Sequence, residues 1–264
     1  MSDWTLYLWL ITTILVLGWM TFLFVINVLK KNIGIVDVGW GIGFILVASV
    51  FFFLNEGMLF RKQLILGLII LWGGRLSIHL LIRFLKKKEE DLRYYNLRKK
   101  YLTNEVKIFL LFMGQGLLIL IISLPLFAIT SDTSPIITPI EWMGITLSFF
   151  SILGETIADW QLAKFKNQRK GLCREGLWNR SRHPNYFFEW LFWVGIALFA
   201  LPAPFGLVGI ASCGIMLYLL LFLSGIPATE RCLVETKGLA YSQYQKHVPG
   251  FFPKLRAPKC INSR

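Results

Sequence analysis

Charged side chains are scarce in this 264-residue chain: Asp, Glu, Lys and Arg make up 16% of it, whereas hydrophobic residues make up 55%. A soluble domain needs more polar surface than this, so the composition excludes an ordinary soluble protein. The apolar residues come in blocks of about 20, the length that an α-helix needs to cross a bilayer. The composition therefore predicts an all-α, polytopic membrane protein.

Seven blocks reach the length of a membrane span, and we predict a single membrane domain over residues 1–264. The first block opens with Asp3 and has no basic leader, so it is a helix and not a cleaved signal peptide. The blocks are Trp4–Val28, Ile33–Leu54, Leu64–Leu85, Ile108–Ile129, Trp142–Leu162, Tyr186–Leu201 and Phe205–Ile226.

Residues that bind metals or serve as nucleophiles are also few. The chain has three histidines and four cysteines, none at the spacing of a zinc site, so we predict no metal. It contains neither a Gly-x-Ser-x-Gly elbow nor a P-loop, and the glycines of GWGIGF lie in the middle of an apolar block. These absences argue against metal hydrolases, serine hydrolases and P-loop enzymes.

Basic residues exceed acidic ones and alternate between loops. Seven Lys and Arg lie across Lys86–Lys100, none across Thr130–Glu141 and seven across Lys164–Arg182. The positive-inside rule then places the N-terminus outside and the C-terminus in the cytoplasm. No pattern typical of DNA or RNA binding accompanies the net charge of +13, so we expect membrane lipids and not nucleic acid as the partner.

Ionisable residues lie inside the second and third apolar blocks. Asp37 is in the second block, and Arg75, His79 and Arg83 follow one another at steps of four in the third, which places them on one helical face. Such residues should face the helix bundle, where Asp37 is the obvious counter-charge. The alternatives are a buried ion pair that joins two helices and a substrate cavity whose outermost cation, Arg83, reaches a phosphate.

The segment Gly171–Trp190, GLCREGLWNRSRHPNYFFEW, is unusually polar for the start of an apolar helix. Its arginines suit an anionic ligand with a flat ring, such as a nucleotide, because guanidinium binds phosphate and stacks on rings. On the preceding helix Glu155, Asp159 and Lys166 project roughly one way, toward these arginines or toward a bound cofactor.

These residues carry a family resemblance. ETIADWQLAKFK, then SRHPNY with a Glu four residues after Asn185, and YSQYQKHVPGFFP at the end resemble the bacterial integral-membrane branch of the steroid 5α-reductase superfamily. The resemblance covers residues 155–253, the expected cofactor-binding half, and extends weakly to IVDVGWGIGF and EDLRYYNLR. The wider superfamily also includes sterol C14 reductases and isoprenylcysteine carboxyl methyltransferases.

The resemblance implies an NADPH-dependent reductase of a lipophilic, steroid-like or isoprenoid-like substrate whose carbon–carbon double bond is conjugated to a ketone. It also implies a bacterial inner-membrane location, with the cofactor on the cytoplasmic side. The cofactor contacts that it suggests are Arg83, Asp91, Arg93, Tyr94, Glu155, Asp159, Lys166, Arg174, Arg182, His183, Asn185, Tyr186 and Glu189.

The catalytic residues depart from the family. The steroid enzymes use a Glu on the second helix and a Tyr on the third at the substrate carbonyl, where this chain offers Asp37 and His79. We therefore predict Asp37 and His79 as catalytic, with Tyr94 or Tyr95 as the alternative proton donor. Two other functions stay open: a methyltransferase that uses S-adenosylmethionine, since Glu230, Tyr241 and Tyr244 resemble the methyltransferase ending, and a non-catalytic lipid-binding protein.

Overall fold

The computed structural model describes residues 3–86, 89–169 and 171–254, and no β-strand occurs among them. The all-α prediction is therefore confirmed for this part of the chain. Its α-helices are α1 Asp3–Lys30, α2 Ile35–Leu54, α3 Leu59–Lys86, α4 Leu92–Lys100, α5 Glu105–Ile122, α6 Leu124–Ser131, α7 Pro139–Gln168, α8 Pro184–Ala200, α9 Val208–Tyr218, α10 Ile226–Lys237 and α11 Leu239–His247.

Five stretches of the described chain are long and apolar enough to cross a membrane, judged by length and composition. Large apolar side chains lie exposed on them, among them Leu29 at 76% and Phe53 at 75%, as expected where lipid replaces water. The chain thus has the helices of a membrane protein. The stretches are Asp3–Lys30, Ile35–Leu54, Leu59–Lys86, Glu105–Ser131 and Val208–Lys237. The two remaining predicted spans are also helical, as α7 and α8.

The fourth predicted span is not one regular helix. α5 ends at Ile122 and α6 starts at Leu124, with Ser123 between them and Pro125 in the first turn of α6. Proline has no N–H to donate and its ring obstructs the preceding turn, so the α-helical ladder is interrupted there. The last predicted span also changes character, because α9 passes into a π-helix at Leu219–Leu223.

The chain forms two compact units. Unit 1 takes in the chain up to Thr146 and Gly195–Cys213, and unit 2 takes in Leu147–Val194 and the chain from Gly214 onward. Each unit carries one of the two polar clusters described below.

In unit 1, α2 packs closely against α3 at paired glycines. A Cβ atom on Gly41 would collide with the carbonyl group of Gly73, and one on Gly73 would lie 2.6 Å from the carbonyl oxygen of Gly41. Small residues let membrane helices approach in this way. The two helices therefore approach each other closely at Gly41 and Gly73.

Hydrogen bonds join the connections between helices at both ends of the helices of unit 1. The Ile33 N–H, before α2, donates to Glu90 Oε1 at 2.8 Å, which joins the first connection to the third. The Met58 N–H, before α3, donates to the Asp132 carbonyl at 2.9 Å, which joins the α2–α3 connection to the α6–α7 connection. Helices α2 and α3 thus run in opposite directions between these two ends.

At the end of unit 1 near Met58, one arginine is buried. Arg61 is 1% exposed, and its Nε donates to Glu141 Oε1 at 2.7 Å. Its terminal nitrogens donate to the carbonyl groups of Asp132, Ser134 and Ile136 at 2.8–3.2 Å. A buried guanidinium satisfied in this way fixes the α6–α7 connection, so Arg61 serves the fold.

Unit 2 includes two short helices that the hydropathy of the sequence did not predict, α10 and α11. Tyr241, Tyr244 and Val248 form a small core with Leu172 and Leu233 packed against it. The Tyr244 hydroxyl donates to the Trp178 carbonyl. The polar segment before α8 is thus anchored on α11.

Candidate functional site

The first polar cluster, the Asp37 cluster, lies in unit 1 and consists of Asp37, Arg83, Asp91, Arg93 and Tyr94. The Tyr94 hydroxyl donates to Asp37 Oδ1, and Arg93 Nη2 lies 3.2 Å from Asp37 Oδ2. Arg83 Nη2 lies 2.8 Å from Asp91 Oδ2, and Arg93 Nε lies 3.2 Å from Asp91 Oδ1. Five of the predicted site residues therefore meet in one hydrogen-bonded network.

The local sequence explains this arrangement. Asp91 is the N-cap of α4, and its side chain accepts from the Arg93 N–H at 3.1 Å, a common way to begin a helix. Its carbonyl oxygen accepts from the amides of Tyr94 and Tyr95 at 2.9 Å. The cap directs Arg93 and Tyr94 toward the first turn of α2, which carries Asp37.

The pKa shifts in this cluster favour a charged Asp91 and a neutral Tyr94. Burial alone would raise the pKa of Asp91, but the charge and hydrogen bonds of Arg93, helped by Arg83, hold that pKa well below its usual range. Burial, and then the charge of Asp37, raise the pKa of Tyr94 well above its ordinary value. Asp91 is therefore a carboxylate at neutral pH, and Tyr94 is a protonated phenol.

A small cleft of about 40 Å³ opens at this cluster. Leu80 and Phe84 of α3 supply apolar wall, and the polar lining includes Asn32, Asp37, Arg83, Glu89, Asp91 and Arg93. The cleft therefore offers both hydrogen-bond donors and acceptors to a small polar group.

The predicted catalytic pair is placed as follows. Both carboxylate oxygens of Asp37 bond to the α4 segment, one to Tyr94 and one to Arg93. His79 lies partly buried on α3, one turn before Arg83. The pairing of Asp37 with His79 stays a prediction, whereas Tyr94, the alternative donor, is in direct contact with Asp37.

The second polar cluster, the Glu230 cluster, lies in unit 2 and consists of Glu230, Arg182, His183, Tyr241 and Gln245. Glu230 Oε1 accepts from Arg182 Nε at 2.7 Å, from the Tyr241 hydroxyl at 3.1 Å and from His183 Nε2 at 3.1 Å. Its other oxygen accepts from Gln245 Nε2 at 2.9 Å. Burial lowers the pKa of His183, and Glu230 opposes that shift.

The arginines expected to bind phosphate differ in their engagement. Arg182 also donates to the carbonyl groups of Gln245 and Val248 at 3.0 and 2.7 Å, so it closes the end of α11. Arg174 donates to the Ala240 carbonyl at 3.0 Å and lies over the Tyr244 ring. Within the described chain the exposed Arg180 side chain has no such partner.

Other predicted contacts of unit 2 lie on α7 and the first turns of α8. Asn185 Nδ2 donates to Asp159 Oδ1 at 3.4 Å, and among the described residues Asn185 Oδ1 is buried without a hydrogen-bond partner. The Tyr186 ring stacks on His183, and its hydroxyl lies 3.2 Å from Thr229 Oγ1. The remaining residues are the buried Glu155 and Glu189 and the exposed Lys166.

Sequence reasoning did not include Glu230 among the site residues. It appeared only as part of the ending that resembles the methyltransferases, although it accepts hydrogen bonds from two predicted residues, Arg182 and His183. A carboxylate near the end of an apolar stretch was the available signal, but its partners lie about 50 residues earlier and cannot be inferred from local spacing. No group of three or more His, Cys, Asp and Glu able to hold a metal occurs in the described ranges.

The fold and the clusters together define a helical membrane protein with polar networks at helix ends. The chain belongs to the family described as "Protein of unknown function (DUF1295)", whose model matches residues 23–248 and so includes both clusters. Neither the curated proteins nor the solved structures contain a match to the chain.

Proposed function

We propose that this protein is an NADPH-dependent reductase that acts, within the membrane, on a carbon–carbon double bond conjugated to a ketone in a lipophilic substrate. The observation that carries the proposal is the hydrogen bond between Tyr94 and Asp37 beside the cleft of unit 1. A buried tyrosine beside a carboxylate becomes a hydrogen-bond donor to a ketone when its hydroxyl group turns from the carboxylate to the ketone oxygen. We therefore assign the donor role to Tyr94 and a supporting role to Asp37, while His79 remains the alternative donor.

The proposed chemistry needs a donor at the carbonyl oxygen of the substrate. When bound, NADPH supplies a hydride to the carbon β to that carbonyl. Negative charge then develops on the carbonyl oxygen, where a fixed O–H group is most effective. The Tyr94 phenol stays protonated at neutral pH because its pKa is raised, so it reaches the substrate as a donor. The proton that Tyr94 gives up would be replaced from water, while the Asp37 carboxylate, within hydrogen-bond reach of the phenol, would orient its hydroxyl group.

Unit 2 offers groups that fit a nicotinamide nucleotide. The buried Asn185 Oδ1 has no partner among the described residues and would accept from the N–H of a carboxamide. Asp159 and Glu189 are acceptors suited to ribose hydroxyl groups. For phosphate, Arg180 is an exposed cation, whereas Arg174 and Arg182 already bond to protein groups. Lys166 is also exposed.

We further propose seven membrane spans, with α7 and α8 added to the five apolar stretches, an outside N-terminus and a cytoplasmic C-terminus. The distribution of Lys and Arg supports this orientation. In a bacterial inner membrane it would place the loops Lys86–Lys100 and Lys164–Arg182 on the cytoplasmic side, where NADPH is available.

A second candidate is transfer of a methyl group from S-adenosylmethionine. It is favoured by one observation: Glu230, Tyr241 and Tyr244 of the methyltransferase-like ending, together with Leu233, pack within one region of unit 2. The Tyr94–Asp37 contact has no role in this alternative, which is why we rank it second.

Titration of the purified protein with each cofactor separates these functions. We expect NADPH to bind, with a change in nicotinamide fluorescence, and S-adenosylmethionine to show no heat of binding in calorimetry. Binding of S-adenosylmethionine alone would favour the methyltransferase. If neither cofactor binds to folded protein, the non-catalytic, lipid-binding alternative is supported.

A further inference from the structure

We propose that Glu230 is a positioning residue: it fixes the segment Ser181–Tyr186, and it controls nucleotide binding through Asn185 without touching the nucleotide. This inference rests on the proposed function, and it concerns a residue that the sequence did not single out for the site. It also changes the expected role of Arg182, from a phosphate contact to part of the support.

Four side chains meet at Glu230. Its two oxygens accept hydrogen bonds from four side chains, which come from the Ser181–Tyr186 segment and from α11. Arg182 and His183 of that segment are 13% and 4% exposed in their side chains, so their bonds to Glu230 are largely shielded from water. Bonds between charged groups in such surroundings are stronger than those at the surface.

Contacts also connect Glu230 with the residues around Asn185. His183 and Pro184 directly precede Asn185, and α8 begins at Pro184. The His183 ring bonds to Glu230 and stacks on Tyr186, with 5.4 Å between ring centroids. Tyr186 in turn lies beside Thr229, the residue before Glu230 on α10. The residues on either side of Asn185 are therefore both held by α10.

Other bonds keep the fold of this region when Glu230 changes. The Arg182 N–H donates to the Pro249 carbonyl at 2.9 Å, and the Ser181 hydroxyl donates to the Phe251 carbonyl at 2.8 Å. These contacts hold the backbone without any part of Glu230. Loss of the Glu230 charge should therefore shift the orientation of the first turn of α8 and leave the rest of unit 2 folded.

The test compares NADPH with adenosine 2′,5′-bisphosphate, which has no nicotinamide, in the full-length purified protein. Glu230→Gln should weaken NADPH binding on the order of ten-fold, as loss of one hydrogen bond does, and leave binding of the bisphosphate unchanged. Asn185→Ala should give the same pattern. The double variant should be no weaker than Asn185→Ala alone, because both changes act through one contact. Glu235→Gln, a neighbouring change on α10, is the control and should bind both ligands like the parent.

Each result decides the matter. Unchanged NADPH affinity in folded Glu230→Gln would overturn the inference, and so would an equal loss for both ligands, since that is the behaviour of a generally loosened protein. If Glu230→Gln does not accumulate, Tyr241→Phe, which removes one of the four bonds, should still weaken NADPH selectively, and its failure to do so would also overturn the inference. Absence of NADPH binding by the parent protein would instead refute the proposed function itself.

Discussion

At the scale of single residues, the proposed reaction depends on the hydroxyl group of Tyr94. Tyr94 and Tyr95 are neighbours in sequence, yet Tyr94 bonds to Asp37 while Tyr95 is 53% exposed. From the sequence both were alternative donors, because two adjacent tyrosines have identical side chains and differ only in the direction in which these point. Helix geometry sets that direction, since successive residues point about 100° apart around the axis.

Tyr94→Phe should lower turnover by roughly 10²- to 10⁴-fold while NADPH affinity stays near that of the parent, because it removes a donor that acts at the transition state. Tyr95→Phe is the matched control and should keep its activity. Steady-state oxidation of NADPH with an enone checks both. Equal activity of the two variants would exclude Tyr94 as the donor and return His79 to that role.

Asp91 gives a second prediction at this scale, on pH. Its pKa is lowered in the folded protein, so its bonds to Arg83 and Arg93 stabilise the fold at neutral pH. In the unfolded chain the pKa of Asp91 is about 4. When the pH falls below that value, the unfolded chain binds a proton that the folded protein does not, so this stability is lost. The thermal midpoint in detergent should therefore fall less in Asp91→Asn than in the parent when the pH is lowered from about 6 to about 3. Glu89→Gln should follow the parent, and three parallel curves would show that Asp91 contributes nothing.

At the scale of helices, the close contact of α2 with α3 involves Gly73 but not its neighbour Gly74. A Cβ atom on Gly73 would meet the backbone of Gly41, whereas one on Gly74 would meet nothing within 4 Å. Gly73→Ala should therefore lower the thermal midpoint by pushing the helices apart, and Gly74→Ala should leave it unchanged or raise it through better helix propensity. The same thermal shift for both variants would contradict this packing.

Much at the scale of helices was predictable, and the exceptions have physical reasons. The long apolar blocks predicted α1, α2 and α3 correctly, because hydropathy over about 20 residues is enough to identify a segment that can span a membrane. The interruption at Ser123 was not expected, since one proline in an apolar block is compatible with a continuous kinked helix. α10 and α11 were missed because the polar C-terminal region is helical through its contacts with the Ser181–Tyr186 segment, and those contacts are distant in sequence.

The same reasoning applies to the candidate site. The five residues of the Asp37 cluster were all predicted as site residues, whereas of the Glu230 cluster only Arg182 and His183 were. Which of them bond to protein and which are available to a ligand depends on distant partners. Arg182 is the clearest example, because its donors meet Glu230, Gln245 and Val248.

At the scale of the whole molecule, the orientation in the membrane is testable with single cysteines in a variant that lacks the natural ones. Thr133 and Lys99 are exposed, and in unit 1 they belong to opposite ends of the helices. Thr133→Cys should react with an impermeant maleimide added to intact cells, and Lys99→Cys should react only after the membrane is opened. The reverse pattern would invert the proposed topology, and labelling of both in intact cells would refute alternation.

The central claim is transfer of hydride from NADPH to an enone, and isotope transfer tests it most directly. Membranes that contain the protein are incubated with NADPH deuterated at C4 of the nicotinamide and with steroid and isoprenoid enones, and the products are examined by mass spectrometry. We predict a saturated ketone that carries one deuterium on the carbon β to the carbonyl, and its loss with Tyr94→Phe. A protein that binds NADPH yet yields no deuterated product from any of these enones, or whose product is the same with Tyr94→Phe, would contradict the account.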